Sequence, residues 1–288
     1  MMSSIPKLAL SIAIVLLTIQ LGSSLACAPA KPDGPKTTSM GESAPSALAR
    51  VKEKGKLVIL TVPHQENSFT KTNLGTGPMK LSGTREDFQG IDIDIMGAFA
   101  DHLGVELEIR PTVGPEGIPG YEHLIPALGR GDGDIIASSF TITKEREEII
   151  DFSTPYFFVY RAVVTRTDQG LSSAEDLKGK KAVILPGTSQ ENHLRKAGFS
   201  ESDILFVEFS LETYSSVLEG LADFTLQDSP SAERVVQDYP ELMIAFPFDD
   251  QEDQYGFGVA QGSDLLPALD EFLAEMKASG KLEEMTRL

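Results

Sequence analysis

The sequence predicts an α/β protein with mixed, mostly parallel sheets, and two observations support this fold class. From residue 47 to the C-terminus, short runs rich in β-branched residues alternate with amphipathic stretches. This alternation is typical of strands joined by helices that cover both faces of a sheet. The composition, 41% hydrophobic and 24% charged over 288 residues, suits a globular body with a sizeable core.

The first 27 residues predict export. Lys7 precedes the apolar run 8–21, which is shorter than the about 20 residues that cross a bilayer, and small residues follow it. The single cysteine, Cys27, lies where this run ends, and the segment resembles bacterial lipoprotein signals except that Leu25 stands one position later than usual. We therefore predict a signal peptide at 1–27 with a lipid on Cys27. The alternative is ordinary signal-peptidase cleavage, because Ala26-Cys27-Ala28 fits the A-x-A pattern.

Residues 28–46 are rich in Pro, Ser, Gly and Thr and show no apolar periodicity. Such a segment buries too little surface to offset the entropy of ordering it, so it predicts a flexible linker. An exported domain that follows a flexible linker predicts an extracytoplasmic protein of the periplasm or cell surface. We expect it to be anchored to the membrane through the lipid on Cys27.

The body that follows divides into elements by its hydrophobic pattern. Strands are predicted at 57–61, 106–110, 134–137, 157–165, 181–185, 204–208, 223–226 and 255–260, and helices at 95–103, 121–129, 189–197, 214–221 and 265–279. Asp92 and Asp94 alternate with isoleucines, which predicts that both carboxylates share one face of a strand. The stretches 62–89 and 111–120 are predicted to be long loops.

Several functions are excluded or disfavoured by composition. Lys and Arg number 25 against 43 Asp and Glu, and the formal charge of −18 opposes binding to nucleic acid or to an anionic membrane surface. One cysteine allows no internal disulfide, and the four histidines lie far apart, so no metal site is predicted. No nucleophile elbow, P-loop or dinucleotide fingerprint is present, and no cofactor is expected.

Four segments in order resemble the polar amino-acid-binding proteins of ABC transporters, the bacterial extracellular solute-binding protein family 3. They are Gly-Ile-Asp-Ile-Asp-Ile at 90–95; the run from Tyr121 through Ser-Ser-Phe-Thr-Ile-Thr-Lys-Glu-Arg at 138–146 to Asp-Phe-Ser-Thr-Pro-Tyr at 151–156; the segment 176–189; and 220–230 together with 255–260. The resemblance covers about residue 56 to the C-terminus. It implies a two-lobed periplasmic-binding-protein-like fold of type II, with a ligand cleft between the lobes.

The resemblance also implies the binding residues. A free amino acid needs a cation for its carboxylate and an anion for its ammonium, and Arg146 and Asp228 match the family positions with these roles. Thr188 and Ser189 open a helix whose free N–H groups suit an anion. The remaining candidates are a hydroxyl from Thr141, a backbone carbonyl from Ser139 and an aromatic wall from Tyr121. His64, Gln65, Glu66 and Phe69 are candidates for the specificity wall.

The implied function is that of a binding protein without enzymatic activity, which delivers an amino acid or similar zwitterion to an ABC permease. The first lobe is predicted at 47–160 plus 254–288 and the second at 161–253. One alternative is an exported cyclohexadienyl or arogenate dehydratase-like enzyme on the same fold, for which Glu191 is the candidate proton donor. The other is a sensor module, as in a membrane-bound lytic transglycosylase.

Overall fold

Two five-stranded sheets organise the protein in a computed structural model that describes residues 46–62, 71–72 and 82–287. The strands are β1 (Lys56–Thr61), β2 (Lys71–Thr72), β3 (Phe88–Gln89), β4 (Glu106–Pro111), β5 (Ile135–Ile136), β6 (Ile150–Phe152), β7 (Phe157–Arg166), β8 (Ala182–Ile184), β9 (Ile204–Phe206), β10 (Phe224–Asp228), β11 (Leu242–Tyr255) and β12 (Gly258–Ala260). The helices are α1 (Ala47–Lys54), α2 (Ile91–Leu103), α3 (Leu124–Arg130), α4 (Lys144–Glu147), α5 (Ser189–Lys196), α6 (Ser210–Leu218), α7 (Ser229–Asp238), α8 (Leu265–Ala278) and α9 (Lys281–Met285). Short 3₁₀ turns lie at Tyr121–His123, Ala174–Leu177 and Glu201–Asp203.

The first sheet has the strand order β4-β1-β5-β12-β6, and β12 alone runs against the other strands. The second sheet has the order β11-β7-β10-β8-β9, and there β7 alone is reversed. Both sheets are therefore mixed and mostly parallel, which confirms the predicted fold class. We call the part built on each sheet the first and the second lobe.

Each sheet is covered by apolar packing on both faces. In the first lobe, one core surrounds Ile59 and Phe99 and the other surrounds Leu60 and Leu124. In the second lobe, one core contains Val164 and the other contains Val163. These two residues are neighbours on β7, so their side chains point to opposite faces of the sheet. Burial on both faces explains why an inner strand such as β1 reads as a continuous apolar run, whereas the edge strand β4 alternates.

Strands β7 and β11 pair with each other at both ends, from Phe157 with Tyr255 to Arg166 with Leu242. Their ends at Phe157 and Tyr255 pack in the first-lobe core, whereas Ala162 and Val164 pack in the second. The pairing is irregular between Pro247 and Glu252. The lobe boundaries at 160/161 and 253/254 stay a prediction.

The strand prediction for residues 90–95 is wrong. These residues begin helix α2, which follows Gly90, and the two carboxylates do not share a face, because Asp92 is fully buried whereas Asp94 is exposed. The isoleucines of the segment are all buried because α2 is enclosed on most sides. The alternation of isoleucine with aspartate, which is typical of a strand, therefore predicts the wrong secondary structure here.

The other predicted elements are present with shifted ends, except that 255–260 is not one strand. Tyr255 ends the long strand β11, and β12 begins at Gly258. Within the described ranges, no helix combines the length and the apolar character that crossing a bilayer requires. The predicted signal, Cys27 and the specificity candidates at 64–69 lie outside the described residues.

Candidate functional site

A cavity of about 70 Å³ lies between the two lobes. Its lining is mainly polar and comes from both sheets: Tyr121, Ser139, Thr141, Arg146, Ile184, Leu185, Thr188, Ser189, Gln190, Ser210, Tyr214, Leu226, Gln227, Asp228, Ser231 and Tyr255. All seven ligand-binding candidates from the sequence are in this set. Their roles in binding remain predictions.

Arg146 is held in the cavity wall by α4, the short helix that follows β5 in the first lobe. Its side chain is buried, with Nη1 donating to the Thr141 carbonyl at 2.6 Å and Nη2 donating to the Gly187 carbonyl at 3.1 Å. The guanidinium lies over the Phe140 ring, 3.8 Å from its centroid. Burial lowers the pKa of Arg146 to about 10, so the group is still a cation at neutral pH. These two bonds use two of the five N–H donors of the guanidinium.

Asp228 lies at the end of β10 in the second lobe, in the N-cap position of α7. Its carboxylate does not cap that helix. Oδ1 accepts from Gln190 Nε2 at 2.8 Å and Oδ2 accepts from the Tyr255 hydroxyl. The side chain is turned away from its own helix and towards the cavity, as an ammonium-binding role requires.

Burial raises the pKa of Asp228 to about 6, although the hydrogen bonds from Tyr255 and Gln190 oppose this shift. A neighbouring carboxylate, Asp253, raises the pKa further, whereas the Arg161 cation lowers it. The cavity therefore contains a desolvated carboxylate that would gain from a bound cation.

Sequence reasoning did not identify Tyr255 and Gln190 as site residues. Tyr255 packs in the first-lobe core and donates to Asp228 of the second lobe, so it links the lobes beside the site. Gln190 is in the first turn of α5. The usable signal for Tyr255 was its place at the start of the family-like segment 255–260.

The start of α5 forms part of the second-lobe wall. Thr188 is its N-cap residue, but the Thr188 hydroxyl donates to the Leu185 carbonyl at 2.8 Å and does not cap the helix. Ser189 Oγ lies 3.2 Å from Thr141 Oγ of the first lobe. The first N–H groups of α5 thus keep their capacity for an anion.

Ser139 is held in a left-handed conformation, with φ 46°, by a buried carboxylate. Its N–H donates to Asp92 Oδ2 at 2.6 Å, and the Tyr156 hydroxyl donates to the other oxygen. Burial raises the pKa of Asp92 to about 7. Asp92 therefore supports the loop that carries Ser139 and Thr141, and it does not line the cavity.

Glu191 has no access to the cavity in this arrangement. Its carboxylate accepts from the Gly187 N–H at 3.2 Å and from Arg195 at 3.5 Å, and it is not a lining residue. Gly187 itself meets the first lobe, because a Cβ there would lie 2.6 Å from the Glu122 nitrogen. This close approach of the two backbones requires glycine, and so does the positive φ of 72°.

A charge cluster with a buried cation lies at β7 and β11. Arg161, which is fully buried, contacts Asp249 at 2.5 Å and also pairs with Asp253. His193 of α5 places Nε2 3.5 Å from Asp253. Burial would raise the pKa of Asp253, but His193 and Arg161 together lower it below its ordinary value.

In the described part of the chain, no cluster of His, Cys, Asp and Glu could hold a metal ion.

The sequence is similar to a known family over most of its length. Residues 72–287 match the model of the bacterial extracellular solute-binding proteins, family 3. The membrane-bound lytic murein transglycosylase F of Desulfosudis oleivorans is 28% identical over 240 residues, which cover 81% of this chain and 48% of that protein. The chain thus spans about half the length of the transglycosylases it matches.

Two binding proteins are similar over nearly their full lengths. The L-cystine-binding protein TcyJ of Escherichia coli is 26% identical over 242 residues, which cover 83% of this chain and 84% of that protein. The structure of AbpA, an amino acid ABC transporter substrate-binding protein from Streptococcus pneumoniae bound to L-arginine, superposes with a TM-score of 0.71 at 25% identity. That match covers 82% of this chain and 94% of AbpA, and it agrees with the predicted type II two-lobed fold.

Proposed function

The chain belongs to the bacterial extracellular solute-binding proteins, family 3, and we propose that it captures a free amino acid or similar small zwitterion between its lobes. One observation carries this proposal: a buried arginine from the first lobe and a buried carboxylate from the second line the same cavity. Arg146 would bind the α-carboxylate, with help from Thr141, Ser189 and the N–H groups that follow Thr188. Asp228 would bind the ammonium.

Binding of this kind would favour closure of the lobes. A ligand that contacts Arg146 and Asp228 together makes more contacts in the closed state than in the open one, and this differential affinity shifts the equilibrium towards closure. We infer that an ABC permease recognises the closed form. Export to the cell surface or periplasm and a lipid on Cys27 belong to the same proposal.

A thermal-shift screen of the purified protein against free amino acids tests the binding function. A ligand at 100 times its Kd should add about 2.7 kcal/mol to the free energy of unfolding. The Arg146→Ala variant should show no shift with the same ligand. If no amino acid shifts the wild-type transition, or if Arg146→Ala responds as the wild type does, the proposal is wrong.

The affinity should also depend on pH through Asp228. Its pKa in the unliganded protein is raised to about 6, so below pH 6 the carboxyl is protonated and must lose this proton to bind an ammonium. We expect Kd to be nearly constant above pH 7 and to rise about tenfold per unit well below pH 6. Calorimetry in buffers of different ionisation enthalpy should detect release of about one proton at pH 5. An unchanged affinity between pH 7.5 and pH 5 would contradict the role of Asp228.

A sensor module is the second candidate, because the chain resembles part of the transglycosylase F relatives. Both roles use the same cleft, so a binding assay does not separate them. Uptake of the radiolabelled ligand by cells with and without the gene separates them, since only a transport protein changes the uptake rate. The dehydratase alternative loses support because Glu191 bonds to Gly187 and Arg195, away from the cavity.

A further inference from the structure

A second cavity of about 70 Å³ adjoins the first. The two share three lining residues, Tyr121, Leu185 and Ser210. The second cavity is therefore the neighbouring space towards which the side chain of a ligand held by Arg146 and Asp228 could extend. The second cavity also lies between the lobes, because Tyr121 precedes α3 of the first lobe and Leu185 follows β8 of the second.

The walls of the second cavity are mostly apolar. They consist of Val62, Ile118, Pro119, Leu185, Pro186 and Phe209, with Gly120, Tyr121, Ser210 and two glutamates completing the lining. Apolar walls of this kind suit a chain of methylene groups, because each buried CH₂ contributes about 0.8 kcal/mol.

The two side chains in the lining of this cavity that carry a charge at neutral pH, among the described residues, are both acidic. Glu122 comes from the first lobe and Glu208 from the second. The Glu122 side chain is 40% exposed, with His123 Nε2 3.5 Å from its carboxylate, and Glu208 is exposed. Both carboxylates therefore lie at the rim of the cavity, where a cationic group can reach them while it keeps part of its hydration.

An anionic group has no comparable support there. The N–H groups of Glu208 and Phe209, next to the start of α6, both donate to Glu212 Oε2 at 3.1 Å. Glu212 thus uses the backbone donors that could otherwise attract an anion to this rim. No Lys or Arg in the described ranges lines the cavity.

We propose that the ligand is an extended amino acid with a cationic end, of the lysine, ornithine or arginine type. The stem of its side chain passes Tyr121 and Leu185, and its distal cation meets Glu122 and Glu208. This inference rests on the proposed function, since Arg146 and Asp228 must hold the α-carboxylate and α-ammonium. It adds the chemical class of the side chain and two residues that select it.

Calorimetry with a matched series of amino acids tests the inference. Lysine and norleucine have side chains of similar length but differ in the terminal charge, alanine has neither feature, and glutamate carries an acidic end. We expect lysine or arginine to bind at least tenfold more tightly than norleucine, norleucine more tightly than alanine, and glutamate most weakly. Equal affinities for lysine and norleucine, or tightest binding of alanine or glutamate, would overturn the inference.

Two variants locate the cationic end. Glu122→Gln and Glu208→Gln should each weaken lysine or arginine binding about three- to tenfold and leave norleucine unaffected. Glu116→Gln is the control, since it removes an exposed charge of the same type that does not line the cavity. If all three variants change the affinity equally, the selectivity comes from overall charge and the assignment of these residues is wrong. If alanine binds tightest and Arg146→Ala abolishes that binding, the proposed function stands and only the side-chain class fails.

Discussion

Replacing Asp228 by asparagine should abolish micromolar binding and leave the unliganded protein at least as stable as the wild type at pH 7.5. Loss of one partner from a desolvated charge pair commonly costs about 2–5 kcal/mol, or about 30-fold to several-thousand-fold in affinity. Asparagine keeps the shape of the side chain. Its carbonyl oxygen can accept from Gln190 and its amide nitrogen can donate to the Tyr255 hydroxyl oxygen, so the packing is preserved. Titration calorimetry measures the affinity, and thermal unfolding measures the stability.

The expected effect on stability follows from the pKa of Asp228. The pKa in the folded protein, about 6, is above the ordinary value of 3.8, so the folded state binds this proton more tightly than the unfolded chain does. The contribution of Asp228 to stability therefore falls as the pH rises from about 4 to about 6, and asparagine removes this cost. Asp238→Asn, an exposed change on the same helix, is the control and should alter neither quantity. Wild-type affinity in Asp228→Asn, or a large loss of its unliganded stability, would disprove the assigned role.

Replacing Arg161 by methionine should destabilise the protein by about 3–5 kcal/mol, because it leaves Asp249 and Asp253 without their buried cation. For a chain of this size, that loss corresponds to a fall in Tm of about 6–20 °C. The same substitution removes a positive charge that lowers the pKa of Asp228, so the pH dependence of ligand binding should move to higher pH.

Arg234→Met provides the matched control. Arg234 pairs with Asp238 at 3.0 Å, but both side chains are about half exposed, and a pair of this kind contributes at most about 1 kcal/mol. Differential scanning calorimetry of the two variants compares a buried and an exposed arginine directly. Equal Tm values for both would show that the charge cluster at β7 and β11 contributes little to stability.

The sequence predicted the fold class well because the relevant signal is local. Apolar strands such as 57–61 and 182–184 alternate with helical stretches, and burial on both faces of each sheet accounts for the pattern. The strand prediction at 90–95 failed because a helix that is buried on most sides accepts isoleucine at every second position. Asp92 accepts hydrogen bonds from the Ser139 N–H and the Tyr156 hydroxyl. These bonds, and not a face shared with Asp94, account for an aspartate at this position.

The candidate site was predicted only in part. Arg146 and Asp228 were identified through the resemblance of short segments, and the structure places both in one cavity. Tyr255 was missed because its contact with Asp228 joins residues that are 27 positions apart and lie on different lobes. No local pattern encodes such a contact, nor does one encode the raised pKa of Asp228, which depends on the complete burial of the group.

The contacts that join the lobes have a kinetic consequence. The bond from Arg146 to the Gly187 carbonyl and the contact of Thr141 with Ser189 involve protein atoms alone. Part of the free energy that holds the cleft shut therefore belongs to the protein and is the same for every ligand. If the chain binds a ligand as proposed, the ligand can leave only after these contacts break, and we expect the rate of opening as well as the affinity to limit its residence time.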